Sequence, residues 1–176
     1  MGRIAARFIA EKLGGKGFVI QLEGTPGSSA TIDRKKGFEE VMKDYPDIKI
    51  ESYTADFRRH EAVKIMEDLV QKYDKIDAIN SHNDEMALGA VQVLEPLGML
   101  KDTIIVGSDG QPDALQAIKD GKLTATVAYP IHFPEVLDYT YKILKGEKVD
   151  KNIPLETPLI DINNVDKYYD PNAIWW

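Results

Sequence analysis

The sequence predicts an α/β domain with a doubly wound parallel sheet, and three observations carry that prediction. Short β-rich runs alternate with segments of helical periodicity five times along the 176 residues. The helical segments run roughly 10 to 15 residues, the length that a crossover between parallel neighbours needs. Glycine and proline punctuate the junctions, as in Gly14-Gly15-Lys16-Gly17, Pro46, Gly121 and Gly146.

The first segment, "MGRIAARFIAEKLGGKG", sets Ile4, Phe8, Ile9 and Leu13 at helical spacing against Arg3, Arg7, Glu11 and Lys12. It reads as an amphipathic helix and not as the unbroken apolar core of a signal peptide. Phe18 to Leu22 is a strand candidate, followed by the loop "EGTPGSSA" and a helix whose inner face carries Phe38, Val41 and Met42. Pro46 stops that helix. Ile48 to Tyr53 alternates apolar and polar residues as a strand. Glu61 to Tyr73 is the strongest helix, with Ala62, Ile65, Met66, Leu69, Val70 and Tyr73 on one stripe.

Ile76 to Ile79 is a third strand, Asp84 to Leu94 a helix, and Ile104 to Val106 a fourth strand. Asp113 to Lys119 is a short helix closed by Gly121, and Leu123 to Ala128 a fifth strand. Pro134 to Lys145 is the last helix, with Val136, Leu137, Thr140, Tyr141 and Leu144 on one face. "PLETPLIDI" offers one more short strand before an aromatic tail. The whole is of flavodoxin-like size, and an α+β fold fits so regular an alternation poorly.

Composition narrows the function. The 22 Lys plus Arg are scattered among 29 Asp plus Glu, giving a net charge of -7. A nucleic-acid partner needs a clustered positive surface and is not expected. Cysteine is absent, which removes disulfides, thiolate metal sites and thiol nucleophiles. No apolar run approaches the length of a membrane-spanning helix.

In an open parallel sheet, ligands bind beyond the carboxyl ends of the strands. That edge receives Glu23 to Ser29, Asp56-Phe57-Arg58, His82-Asn83-Asp84, Ser108-Asp109-Gly110 and Tyr129. "GTPGSSATIDR" lacks the lysine of a triphosphate loop and the spacing of a dinucleotide loop, so a turn capped by Ser28 or Ser29 is the better reading. His82, Asp84 and Glu85 lack the spacing that brings ligands onto one ion, and His60 and His132 stand alone, so neither metal nor cofactor is expected. Asn83 has the makings of a helix N-cap, and Asp84 and Glu85 of first-turn acids that complement the helix dipole. His82 is a loop residue without an evident role. No serine stands in a nucleophile elbow, and Asp109 before Gly110 suits a hydroxyl acceptor at least as well as a base, so no enzymatic activity is expected. Arg34, Asn83, Asp109 and Phe57 instead supply what a neutral polyhydroxylated ligand requires: a donor fork, a carboxamide, a carboxylate and an aromatic face.

"TADFRR" from Thr54, "NDEMALGA" from Asn83 and "VGSDGQPDALQAIKDGKLTATVAY" from Val106 resemble the ribose-binding branch of type I periplasmic sugar-binding proteins. The resemblance extends over nearly the whole chain, including "LKGEKV". It implies an extracytoplasmic sugar or polyol binder serving an ABC-type importer through its permease. It also implies that Arg34, Phe57, Asn83 and Asp109 contact the sugar from the carboxyl-terminal lobe. Tyr129 falls where ribose binders place a hinge glutamine, which leaves pentoses, hexoses and polyols open. The effector core of LacI-type repressors shares the fold and is the alternative.

The resemblance further implies that residues 1–129 are that carboxyl-terminal lobe alone. Residues 130–157 would then supply a helix and strand that pack on the amino-terminal lobe, and residues 158–176 a returning strand and tail. The apolar face of the last helix is expected to fold back on the lobe or to pair with a second chain as a homodimer. Weak or undetectable sugar affinity is expected of one lobe.

Overall fold

The computed structural model describes residues 1–130, 133–153 and 155–170. Among the described residues six strands form one sheet: β1 (Gly17–Glu23), β2 (Ile48–Thr54), β3 (Ala78–Ser81), β4 (Ile104–Asp109), β5 (Ala125–Ala128) and β6 (Leu159–Asp161), in the order β2-β1-β3-β4-β5-β6. The first five pair in parallel; β6 runs antiparallel to β5, with Ile160 opposite Thr126. The helices are α1 (Gly2–Lys12), α2 (Ser29–Met42), α3 (Arg59–Lys72), α4 (Asp84–Leu94), α5 (Pro112–Lys119) and α6 (Phe133–Leu144).

Two cores lie on opposite faces of the sheet. On one, Ala5, Ala6 and Ile9 of α1 and Phe38 and Met42 of α2 meet Val19, Ala78, Val106 and Val127. On the other, Met66 and Leu69 of α3, Met86 and Leu94 of α4 and Ile118 of α5 meet Ile20, Leu22, Ile79 and Ile105. Strands covered on both faces lose the alternating pattern, and β3 and β5 are buried throughout. Edge strand β2 is partly exposed along its length, with Ile48 its one buried residue, so its sequence keeps polar positions between the apolar ones. α1 and α2 cross closely enough that a side chain at Gly2 would put its Cβ 2.0 Å from the Arg34 carbonyl oxygen.

From β1 the chain moves out to β2, then returns past β1 to β3, so the winding direction reverses between β1 and β3. The loops that leave the carboxyl ends of these two strands therefore part to opposite faces and open a crevice.

The doubly wound parallel sheet is as expected, and two details refine the reading. β6 is antiparallel, so the sheet is mixed at that edge. The α6 face does not fold back on the lobe: Val136, Leu137 and Tyr141 are more than half exposed and Leu144 is 80% exposed. The lobe's two sheet faces are already covered by α1 to α5. Among the described residues of 130–157 there is a helix and no strand. His132 and the last six residues of the aromatic tail, 171–176, lie outside the described residues, while Tyr168 and Tyr169 pack against the core.

Candidate functional site

The site is built at the carboxyl ends of β1, β3 and β4 and completed by α2. Ser28 caps α2, its Oγ accepting from the Thr31 amide at 3.2 Å, which makes the glycine-containing loop a helix start and places Arg34 facing the sheet edge. The Arg34 guanidinium donates through Nη1 to the His82 carbonyl and through Nη2 to Asp109 Oδ1 at 2.8 Å. Both side chains of this ion pair are largely buried, at 12% and 14% exposure. Burial raises the Asp109 pKa, while the charge and hydrogen bond of Arg34 pull it down. The Tyr129 ring lies 5.9 Å from the guanidinium and is exposed.

Asn83 caps α4, its Oδ1 accepting from the Met86 amide at 2.9 Å. Its Nδ2 donates to the Phe57 carbonyl at 3.1 Å. That bond holds a loop in which Asp56 and Phe57 both adopt positive φ, 53° and 61°, a conformation that non-glycine residues keep only when the surroundings enforce it. The Phe57 ring covers Gly24, where any Cβ would lie 2.0 Å from the ring. Gly24 in turn donates its amide to His82 Nδ1 at 3.4 Å, linking the Phe57 side of the site to the Arg34 side.

All five residues singled out from sequence thus share one edge of the sheet. They fall into an Arg34, Asp109 and Tyr129 group and an Asn83 and Phe57 pair, bridged through His82 and Gly24. Asn83 faces the Phe57 loop with both polar atoms engaged, each with capacity for one further bond. A cleft of about 290 Å³ beside this edge is lined by Met1, Gly2, Ser29, Ala30, Asp33, Arg34 and Tyr129.

Two neighbours have roles that the sequence reading missed. His82 is buried, with Nε2 lacking a hydrogen-bond partner among the described residues, and burial pushes its imidazole down to about 4. Asp84 is not a solvated first-turn acid: it is fully buried and bonded to Gly110, Gln111 and Thr126. The signal was its place on the buried stripe of α4 with Ala87 and Val91, three and seven residues on. Glu85 does stay at the surface, in a two-pronged bond with Arg59 at 3.0 Å on each arm. Among the described residues no group of three or more His, Asp or Glu gathers as a metal site.

The site can present donors, acceptors and aromatic faces to a ligand. The family model described as periplasmic binding protein domain matches residues 1–142. The ribose import binding protein of Bacillus subtilis (strain 168) is 43% identical over 157 residues, 86% of this chain and 50% of that protein. The xylitol-binding protein of Mycolicibacterium smegmatis is 36% identical, over 91% of this chain and 47% of that protein. Among solved structures, the periplasmic binding protein component of the arabinose ABC transporter from Shewanella sp. ANA-3, bound to L-arabinofuranose, superposes with a TM-score of 0.83 at 34% identity. That match covers 94% of this chain and 57% of the other. The chain spans about half the length of the curated relatives it matches. Sequence motifs, sheet order and family match converge on one conclusion: the chain belongs to the type I periplasmic sugar-binding proteins.

Proposed function

We propose that this chain forms the carboxyl-terminal half of a sugar cleft and performs no chemistry on its ligand. In this reading it acts within an extracytoplasmic solute-binding protein that hands a neutral pentose, hexose or polyol to the permease of an ABC importer. The observation that carries the reading is the buried Arg34–Asp109 pair, set beside Asn83 and the Phe57 ring at the sheet's carboxyl edge. Such a pair offers fixed donors and acceptors to vicinal hydroxyls, and the ring offers a face to the C–H side of a sugar. The names of the relatives support transport over a repressor core.

The exposed apolar face of α6 supports a second lobe as the other half of the cleft; a homodimer through the same helix is the competing arrangement. Half a cleft forfeits about half of the ligand's hydrogen bonds, each worth on the order of 1 kcal/mol, so the chain alone should bind in the millimolar range or more weakly. Titrating the 15N-labelled chain with ribose, arabinose, xylitol and myo-inositol should shift the amides of Arg34, Phe57, Asn83 and Asp109 for at least one of them. Calorimetry should detect little heat. Shifts confined to other surfaces would refute the site, and micromolar affinity would refute the half-cleft.

A further inference from the structure

We propose that Asp84 is the positioning residue of this site: clamped to the backbone beyond Asp109, its carboxylate sets the direction in which Asp109 meets a ligand hydroxyl. The inference rests on Asp109 being a ligand contact. Asp84 Oδ2 accepts from two consecutive amides, Gly110 at 2.7 Å and Gln111 at 2.8 Å. Oδ1 accepts from Thr126 Oγ1 at 2.6 Å. All three donors come from outside α4, from the β4–α5 loop and from β5, so the contacts do not serve the helix's own first turn.

What the clamp holds is unusual. Asp109 has φ 126°, a conformation that a side-chain-bearing residue keeps only when its surroundings over-determine it. Asp84 fixes the peptide groups that follow, and the Tyr129 amide, donating to the Asp109 carbonyl at 2.9 Å, holds the residue itself. Strand β4 makes room for the clamp: a Cβ on Gly107 would lie 2.2 Å from Asp84 Oδ1. Asn83 and Asp84 thus divide one task. The first pins the carbonyl of Phe57 and the second pins the amides after Asp109, so a single helix start orients both walls of the site.

Three variants of the full chain separate positioning from stability. Asp84→Ala removes the clamp. Asp84→Asn keeps an oxygen for the two amides and can donate its nitrogen to Thr126 Oγ1. Thr126→Val removes only the outer partner. The readout is the amide-to-Hα coupling of Asp109 measured without sugar, small at this positive φ and large for ordinary extended backbone. Asp84→Ala should raise it and weaken any sugar-induced shift at Asp109 about tenfold in Kd. Asp84→Asn should restore the wild-type coupling, and Thr126→Val should leave it unchanged.

An unchanged coupling in Asp84→Ala, or equal changes in Asp84→Ala and Thr126→Val, overturns the proposal. Should Asp84→Ala not fold, the wild-type chain decides: Gly110 and Gln111 amides exchanging as fast as free loop amides overturn it, and protection upholds it. Because the coupling is read without ligand, a wild-type chain that binds no sugar defeats the proposed function and leaves the clamp to its own measurement.

Discussion

His82 and Asp84, two residues apart, titrate in opposite senses, and their linkage to folding is testable. Burial pushes Asp84 up to about 7, aided by the charge of Asp109 and opposed by its three hydrogen bonds. Burial pushes His82 down to about 4, with Glu23 opposing and Arg34 and Lys35 assisting. Between about pH 4 and 6.5 the folded chain holds a proton on Asp84 that the unfolded chain has released. The unfolded chain holds one on His82 that the folded chain has refused. The two proton counts nearly cancel, so this pair leaves stability almost flat there; above about 6.5 only Asp84 acts, and stability falls as pH rises through 7. His82→Gln removes the compensation, and its stability should climb steadily as pH falls from about 7 to 4. Urea unfolding across this range checks it; a slope no steeper than wild type would sink the assignment.

Gly24 offers a second test at this scale. Gly24→Ala must displace the Phe57 ring, at a cost of about 1–3 kcal/mol in urea unfolding, and should abolish sugar-induced shifts at Phe57. Phe57, Asn83, Asp109 and Tyr129 were readable because their side-chain chemistry stood at or just beyond strand ends, whereas Arg34 lies within α2. The clamp and the buried histidine were not, because a carboxylate after an N-cap has an ordinary explanation, and only tertiary packing shows that Thr126 and Gly110 reach it.

Among the elements, α2 matters most, since it carries Arg34 and buries Phe38 completely against Val19 and its neighbours. Phe38→Ala should cost about 3–5 kcal/mol by urea unfolding and loosen the Arg34–Asp109 pair with it. Helix α4 was legible to the residue, Asp84 to Leu94, because Asn83 caps it and its apolar stripe is unbroken. Ile76 is buried but precedes β3, which begins at Ala78: a short apolar run shows burial and not where the ladder starts. The direction of β6 could not be read at all, since three residues carry no periodicity that separates parallel from antiparallel pairing.

For the whole molecule, the exposed α6 face decides behaviour in solution. Leu137→Ser with Leu144→Glu should leave the unfolding midpoint almost unchanged, because neither side chain packs on the lobe, and should remove any concentration-dependent mass seen by light scattering. A large loss of stability would mean that the helix docks on the lobe after all. The Arg34–Asp109 pair has a consequence on the same scale. Each charge compensates the other inside a largely buried edge, so the pair brings no net charge to the cleft. A phosphorylated or carboxylated sugar would bring an uncompensated charge there and meet a solvation penalty, whereas a neutral one would not. Recognition of a neutral sugar by this lobe should therefore depend little on ionic strength, and it should discriminate by hydroxyl geometry and by the fit of the C–H face to the Phe57 ring.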